Sequence, residues 1–456
     1  MKTKKILVLL LLAVACLGVQ TVVSQEASAT PGALSRVITI DDAVQLAMNN
    51  NLSLQRIALN LNTTKRTADR SWNSLLPTLN AGALISHPSS IVDDILPPVT
   101  VGPMGLQDRI VWTPGFTLSA GLTLSASVIE NIKRTRSDYE AGVLTLEAAK
   151  QDLELQVRKL FYQILLLDAN RELAAQNFQS AEIRYEQTAA RVRSGQAPSL
   201  DELSARVDME NLRPSVMNAE IHYENAMDAF KVILGIPAEI KIVLIGSISS
   251  EIAAEISVND AGYAESMEAS RLLQSIRSMT AQKNAVRNSA YLPSLRLSWT
   301  STPVYNLQHG YWIDNGSFSI SLGMSLDSLF PWSSARTQIQ TINDNIRSAE
   351  IQLTEIMRNR ENRINQNIRT VDRIMESLEA MQLNVELAQS TYEMMEDAYR
   401  RGAADYQRLQ GAGDSLAMAR NRLLQEQFNL VSALLDLEKE LNIPFGSLSE
   451  PVGRSF

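Results

Sequence analysis

The stretch from Ser333 to Arg401 contains neither glycine nor proline. Apolar residues recur along it at spacings of three and four: Ile339, Ile342, Ile346, Ala349, Leu353 and Ile356, then Ile364, Ile368, Val371, Ile374, Leu378, Met381, Val385, Ala388, Tyr392, Met395 and Tyr399. That spacing holds one stripe on one face of an α-helix, as in the seam of a coiled coil. At 1.5 Å per residue the helix would reach about 100 Å. A second stretch, Val143 to Ser194, would reach about 80 Å by the same arithmetic. Its apolar positions are Leu153, Val157, Leu160, Ile164 and Leu167, then Ala174, Phe178, Ala181 and Tyr185, while its other faces are mostly polar. Helices of this length with narrow apolar stripes need a partner along their whole length. The chain therefore folds into something elongated.

The partners follow in sequence. Gly195-Gln196-Ala197-Pro198 ends one long helix, and Ser199 with Glu202 reads as the capping box of the next. Gly402-Ala403-Ala404-Asp405 does the same after the second long helix, with Asp405 a candidate N-cap. Each long helix thus turns into a returning helix. Pro214 is expected to kink the first returning helix, and Gly411 and Gly413 to loosen the start of the second.

The chain also repeats itself. Ile38-Thr39-Ile40-Asp41-Asp42-Ala43 matches Ile256-Ser257-Val258-Asn259-Asp260-Ala261, and Leu76-Pro77-Thr78-Leu79 matches Leu292-Pro293-Ser294-Leu295. The Phe116–Leu124 segment matches Phe318–Leu326, Arg193-Ser194-Gly195 matches Arg400-Arg401-Gly402, and Leu234-Gly235-Ile236-Pro237 matches Leu441-Asn442-Ile443-Pro444. Five collinear pairs at offsets of roughly 200 argue for a duplication, with a period too long for a solenoid. Each half is expected to hold a helix (Asp41–Asn73; Asp260–Ala290), a Leu-Pro stop, two strands, a very long helix, a glycine turn and a returning helix. The expected division is 1–25 signal peptide, 36–237 first repeat, 238–257 equatorial linker, 258–444 second repeat and 445–456 tail.

The strands carry the functional information. Phe116, Leu118, Ala120, Leu122, Leu124, Ala126 and Val128 alternate with small polar residues. So do Phe318, Ile320, Leu322, Met324 and Leu326. The period is two, over the 9–11 residues that a membrane-spanning strand needs. Weaker alternation in Leu79–Ile85 and Leu295–Trp299 supplies two more strands. The polar positions are uncharged apart from Arg296, which suits a lumen, with the apolar face toward lipid. Trp112, Phe116, Tyr291, Trp299, Tyr311, Trp312, Phe330 and Trp332 cluster in or beside these strands, as in the aromatic belts of bilayer interfaces. The alternative is a soluble sandwich with ordinary core aromatics. Four strands cannot close a barrel, and an open edge in lipid is prohibitive, so spanning strands require several subunits.

The N-terminus reads as an export signal. Lys2, Lys4 and Lys5 precede an apolar run from Ile6 to Ala15 that is too short to span a bilayer as a helix. Cleavage before Gln25 suits Val22-Val23-Ser24. Ala13-Val14-Ala15-Cys16 resembles a lipobox, so Cys16, the only cysteine, is either removed with the signal or lipidated. The net charge of -8 becomes about -11 without the signal, which argues against nucleic-acid partners.

On these residues the chain resembles the TolC-like outer-membrane efflux protein family, from about Arg36 to Pro444. The likeness rests on the order of elements, on the turn Gly195…Leu200-Asp201-Glu202-Leu203-Ser204-Ala205 and on the Leu-Gly-Ile-Pro and Leu-Asn-Ile-Pro endings. It implies a mostly α fold with a small β part: long coiled-coil hairpins forming a periplasmic tunnel, plus four transmembrane β-strands per protomer. It implies a homotrimer in the outer membrane, serving a periplasmic adaptor protein and an inner-membrane transporter as the channel of a tripartite efflux pump or type I secretion system. Family tunnels close at the periplasmic tip, often on acidic residues after the second glycine turn. Here the candidate tip residues are Gly195, Asp201, Gly402, Asp405, Arg408 and Asp414. Six residues beyond Gly402 stands Arg408 rather than an acid, and nine beyond stands Gly411; Asp405 and Asp414 read equally as an N-cap and a surface charge. The lipid-facing candidates are Phe116, Leu118, Leu122, Leu124, Phe318, Ile320, Leu322 and Leu326.

Catalysis is not expected. His87, His222 and His309 have no ligating neighbours at metal spacing, and no nucleophile elbow, phosphate loop or HExxH is present. No cofactor or metal is expected. The rival to a channel is a periplasmic or lipid-anchored coiled-coil scaffold without a pore, which needs no lipid-facing strands.

Overall fold

The structure, a computed structural model, describes residues 36–86, 113–246, 266–306, 311–314 and 316–448. The signal segment, Cys16, His87, Trp112, the Ile256–Ala261 repeat motif, His309 and the terminal Phe456 lie outside the described residues.

The chain opens with β1 (Arg36–Ile38), α1 (Ile40–Asn50) and α2 (Leu52–Asp69). Thr39 caps α1 reciprocally: its Oγ1 accepts from Asp42 N at 3.3 Å, and Thr39 N donates to Asp42 Oδ2 at 3.2 Å. The single helix expected over Asp41–Asn73 is broken at Asn51, whose backbone is extended and whose side chain caps α2 at Leu54 N. Asn51 Nδ2 also donates to Ile233 O at 3.0 Å, so the break is fixed by a tertiary partner that local propensity does not encode.

After a short 3₁₀ turn (Ser71–Leu75) come β2 (Thr78–Ser86) and β3 (Thr113–Leu124), then α3 (Ala126–Arg193), the first long helix. Sequence alternation carries the strand through Val128, but α3 already begins at Ala126, with Ser125 the last extended residue (φ -146°, ψ 153°). The helix expected from Val143 thus starts 17 residues earlier, running through Gly142. It covers 68 residues, or about 100 Å. The returning helix α4 (Ser199–Leu234) is continuous across Pro214, and β4 (Ile242–Leu244) pairs in parallel with β1.

The second half holds α5 (Met267–Tyr291), β5 (Ser294–Ser301), β6 (Pro303–Asn306), β7 (Tyr311–Asp314), β8 (Ser317–Gly323), a 3₁₀ turn (Asp327–Leu329), α6 (Ser334–Arg400) and α7 (Tyr406–Leu441). Thr302 separates β5 from β6, and β7 leads into β8. The six strands therefore trace four paths, ordered β2, β3, β5–β6 and β8–β7. Leu326, expected in the last strand, lies beyond its end at Gly323 and precedes the 3₁₀ turn.

Helix neighbours follow from packing. Near the sheet α3 lies between α2 and α5, with α6 beyond α5; farther away it lies against α4 and α7. The main core sits where the N-terminal segment meets this wall. Ile38, Ala43 and Ala47 pack on Val157, Phe161, Ile164, Phe230 and Leu234, and the Phe161 and Phe230 rings meet edge-on at 6.4 Å. Gly235 closes α4 in the left-handed conformation (φ 66°). Val371, Ile374 and Leu378 with Leu430 and Leu434 form the corresponding seam of α6 and α7.

Candidate functional sites: the sheet and the helical tip

Strand register sorts the sheet into two faces. Residues paired directly across antiparallel strands point the same way. Leu79, Ala81 and Ala83 pair with Ala120, Leu118 and Phe116. Ala120, Leu122 and Leu124 pair with Trp299, Leu297 and Leu295, which pair in turn with Phe318, Ile320 and Leu322. One face is therefore apolar across all four paths. Thr78, Asn80, Ser119, Gly121, Thr123, Arg296, Ser298, Thr300, Ser319 and Ser321 make the opposite face, where the Ser298 and Ser319 hydroxyls meet at 2.7 Å. The polar face is hollow, with a cavity of about 490 Å³.

The apolar face has no cover among the described residues. Phe318, Ile320 and Leu322 are 66%, 62% and 72% exposed, and Phe116, Leu118 and Leu124 are exposed as well, whereas Leu122 is half-buried. Tyr305, Trp312 and Phe116 cluster at the far end, with Trp312 5.3 Å from Tyr305 and 5.5 Å from Phe116. Phe330 and Trp332 stack at 5.1 Å at the helical end. Among the described residues both outer strands have a free edge: β2 pairs only with β3, and β8 only with β5.

The other site is the far end of the helices. Gly195 (φ 74°) ends α3 and Gly402 (φ 75°) ends α6, both in the left-handed region. Gln196 N donates to Arg191 O and Ala403 N to Ala398 O, each at 2.8 Å, the double-bonded glycine stop of a long helix. Asp405 caps α7 through Arg408 N at 2.9 Å. The capping box expected at Ser199 is not formed. Pro198 occupies the N-cap and makes no side-chain cap bond, and Asp201 and Glu202, both half-buried, sit in the first turn of α4, where the helix dipole favours them. Arg408 lies 3.9 Å from Asp405, and both are largely exposed.

Sequence reasoning missed what joins the two hairpins. Tyr406 Oη donates to Asp208 Oδ2 at 3.1 Å, and Gln410 Nε2 donates to Asp208 Oδ1. Thr188 and Tyr399 hydroxyls meet at 3.1 Å. Arg191 Nη1 donates to Tyr399 O at 2.8 Å with its guanidinium 4.5 Å from that tyrosine's ring centre. Arg184 Nη1 reaches Tyr392 Oη at 3.4 Å. Ala205, Tyr399, Tyr406 and Leu409 are buried together beneath these bonds. Gly413 faces the Tyr392 ring, where a Cβ would lie at an ordinary contact distance of 3.4 Å. Burial pushes the Asp208 carboxyl above the usual range against the opposing pull of Tyr406, and pushes the Tyr406 phenol up as well. The signal available in sequence was three tyrosines, Tyr392, Tyr399 and Tyr406, flanking a glycine turn. Of the expected tip residues, the two glycines shape the turns, Asp405 caps a helix, and Asp414 stands near Asp208.

Among the described residues no group of acidic, histidine or cysteine side chains could hold a metal ion, and no helix is long and apolar enough to cross a membrane.

Comparison with known proteins follows the same lines. The outer membrane efflux protein family matches residues 43–236. The fold is shared with CusC, described for transmembrane channel formation (TM-score 0.73, 14% identity, 92% of this chain and 96% of that one). It is shared with the Campylobacter jejuni CmeC outer membrane channel (0.73, 15%, 88% and 85%) and with the outer membrane protein VceC of Vibrio cholerae (0.71, 15%, 89% and 96%). No curated protein matches the sequence. The chain is thus similar to the outer membrane efflux protein family over residues 43–236, and it shares the fold of these outer-membrane channels over about nine-tenths of its length.

Proposed function

We propose that three copies of this chain form a passive export duct, with β2 of each protomer pairing with β8 of the next to close a twelve-stranded barrel. The observation that carries this reading is a sheet that, among the described residues, has one uncovered apolar face and two unpaired edges. In lipid the apolar face is favourable and the edges are not, and only closure through neighbours removes the edges. Phe116, Leu118, Leu122, Leu124, Phe318, Ile320 and Leu322 face lipid, and Leu326 sits at the helical border of the lipid-facing band. Exposed large apolar residues on α6 (Ile351, Met357, Leu383, Leu387, Met394) provide further surface for neighbouring protomers. A scaffold without a pore leaves the sheet face unexplained.

The α3–α4 and α6–α7 hairpins carry the water-filled path into the periplasm. The contacts from Asp208 and Tyr399 hold the two hairpins together at the tip, and their separation opens the duct. Gly195, Asp201, Gly402, Asp405, Arg408 and Asp414 surround that opening. A periplasmic adaptor and an inner-membrane transporter supply the docking and the energy. The chain divides for this purpose into 36–237 and 258–444, joined by the linker 238–257. The mechanism has no covalent step and needs no cofactor. Native mass spectrometry of detergent-extracted protein should give a trimer, and planar bilayers should show discrete conductance steps. A monomer without conductance would overturn the reading.

A further inference from the structure

The polar face of the sheet carries a single charged side chain among the described residues, Arg296. It pairs across the strands with Thr123 and Ser321, both uncharged. It lines the polar hollow together with Asn73, Ser74, Thr78, Asn80 and Ser298, and no carboxylate lines that hollow. No salt bridge or hydrogen bond engages its guanidinium among the described residues. It stands two residues from the start of β5 at Ser294, at the end where α3, α5 and α6 join the sheet. The surroundings are hydroxyls and amides, which solvate an anion, around one fixed positive charge.

We propose that Arg296 forms an anion-binding ring at the neck of the barrel and makes the duct prefer anionic solutes there, carboxylates and phosphates being the chemical class. This rests on the trimeric barrel of the proposed function. Twelve strands about 4.8 Å apart and tilted about 40° enclose a radius of roughly 12 Å. Three guanidinium groups about 10 Å from the axis would enrich a monovalent anion about four-fold at 10 mM salt, about two-fold at 0.1 M and hardly at all at 1 M. The position is poised for use: a guanidinium already held in a salt bridge would attract nothing, whereas this one is open to the lumen side.

The test uses the full-length protein in planar bilayers. Reversal potentials in potassium chloride gradients should favour chloride in the parent protein at the barrel's low-salt limit. Arg296→Ser should lower the chloride-to-potassium permeability ratio several-fold, Arg296→Glu should carry it further toward potassium, and Arg296→Lys should retain the parent ratio. All differences should vanish at 1 M salt. Tripolyphosphate added on the extracellular side should block the parent at concentrations at least several-fold lower than it blocks Arg296→Ser. Equal ratios and equal block in parent and Ser variants, or a Lys variant that behaves like Ser, would overturn the assignment while leaving the pore intact. A parent protein that conducts nothing would instead overturn the trimeric duct, and this inference with it.

Discussion

Asp208→Asn and Tyr406→Phe test whether the contact between hairpins holds the tip shut. Asp208 accepts from Tyr406 at 3.1 Å and also from Gln410. A hydrogen bond to a charged group contributes about 1.5–3 kcal/mol net. Burial raises the Asp208 pKa, so part of that gain is offset by desolvation, and about 2 kcal/mol per protomer is a reasonable figure for losing the Tyr406 bond. That is about 30-fold in the closed-to-open equilibrium per latch, and three latches in a trimer compound it. Single-channel recording should show Tyr406→Phe opening more often and more widely than the parent. The double variant should be less than additive, by about 1–2 kcal/mol of coupling, because both changes act on the same bond, one by removing its donor and the other by removing the acceptor's charge. The pH dependence has a definite sign. Because the closed tip raises the Asp208 pKa, it binds the proton more tightly than an open, solvated tip does. Closure is therefore favoured as pH falls toward the usual carboxylate range and weakened as pH rises through the raised value. The groups facing Asp208 are Tyr406, Gln410 and Asp414 from α7 and Arg184 from α3. Asp208→Asn should remove that part of the pH response. Identical opening in the parent, the two single variants and the double variant would refute the latch.

Leu122→Asp and Ile320→Asp should prevent assembly into outer membrane while leaving the helices folded, because each places a carboxylate on the face that meets lipid; normal insertion of both would reverse the assigned faces. Gly235→Ala should destabilise the fold by about 2–4 kcal/mol, since a Cβ there would lie 2.7 Å from Asn50 O at a φ of 66°, and an unchanged thermal melt would count against it. Glu438 is 1% exposed and accepts from Gly446 N at 2.9 Å and Leu448 N at 2.8 Å. Glu438→Ala should strand both donors at about 1–3 kcal/mol each, whereas Glu438→Gln keeps one acceptor and should cost less; protease sensitivity of the chain after Pro444 would report the difference, and equal sensitivity would contradict the account.

Helix length, turn position and strand alternation were readable because each depends on a short local pattern. The spacing of Ile342, Ala349, Ile364 and Val371 places all four in the buried seam, and Gly195 and Gly402 stop their helices with the expected positive φ. The errors occur where two patterns overlap or a distant partner decides. Apolar alternation through Ala126 and Val128 also suits the first turn of a helix, so the strand end was misplaced. Asn51 breaks a periodic helix because Ile233 O waits across the fold. The Lys241–Ile245 run is β-branched enough to suggest a strand, yet its pairing with Arg36–Ile38 spans about half the chain and no local rule finds it.

The tip shows why acidic residues alone were a poor guide to it. Asp405 and Asp201 are near the turns, but one spends its carboxylate on Arg408 N and the other stands half-buried in a helix's first turn. Asp208 sits two helical turns farther in, beside the α7 tyrosine that follows the glycine stop. There the carboxylate is partly desolvated and joined to the other hairpin, so its protonation and its hydrogen bonds both change when the helices part. A charge in open water can do neither with comparable effect, because solvent replaces whatever it loses. A group that senses hairpin separation must be partly buried in one state and wetted in the other, and Asp208 with Tyr406 meets that condition where the exposed Asp405 and Arg408 do not.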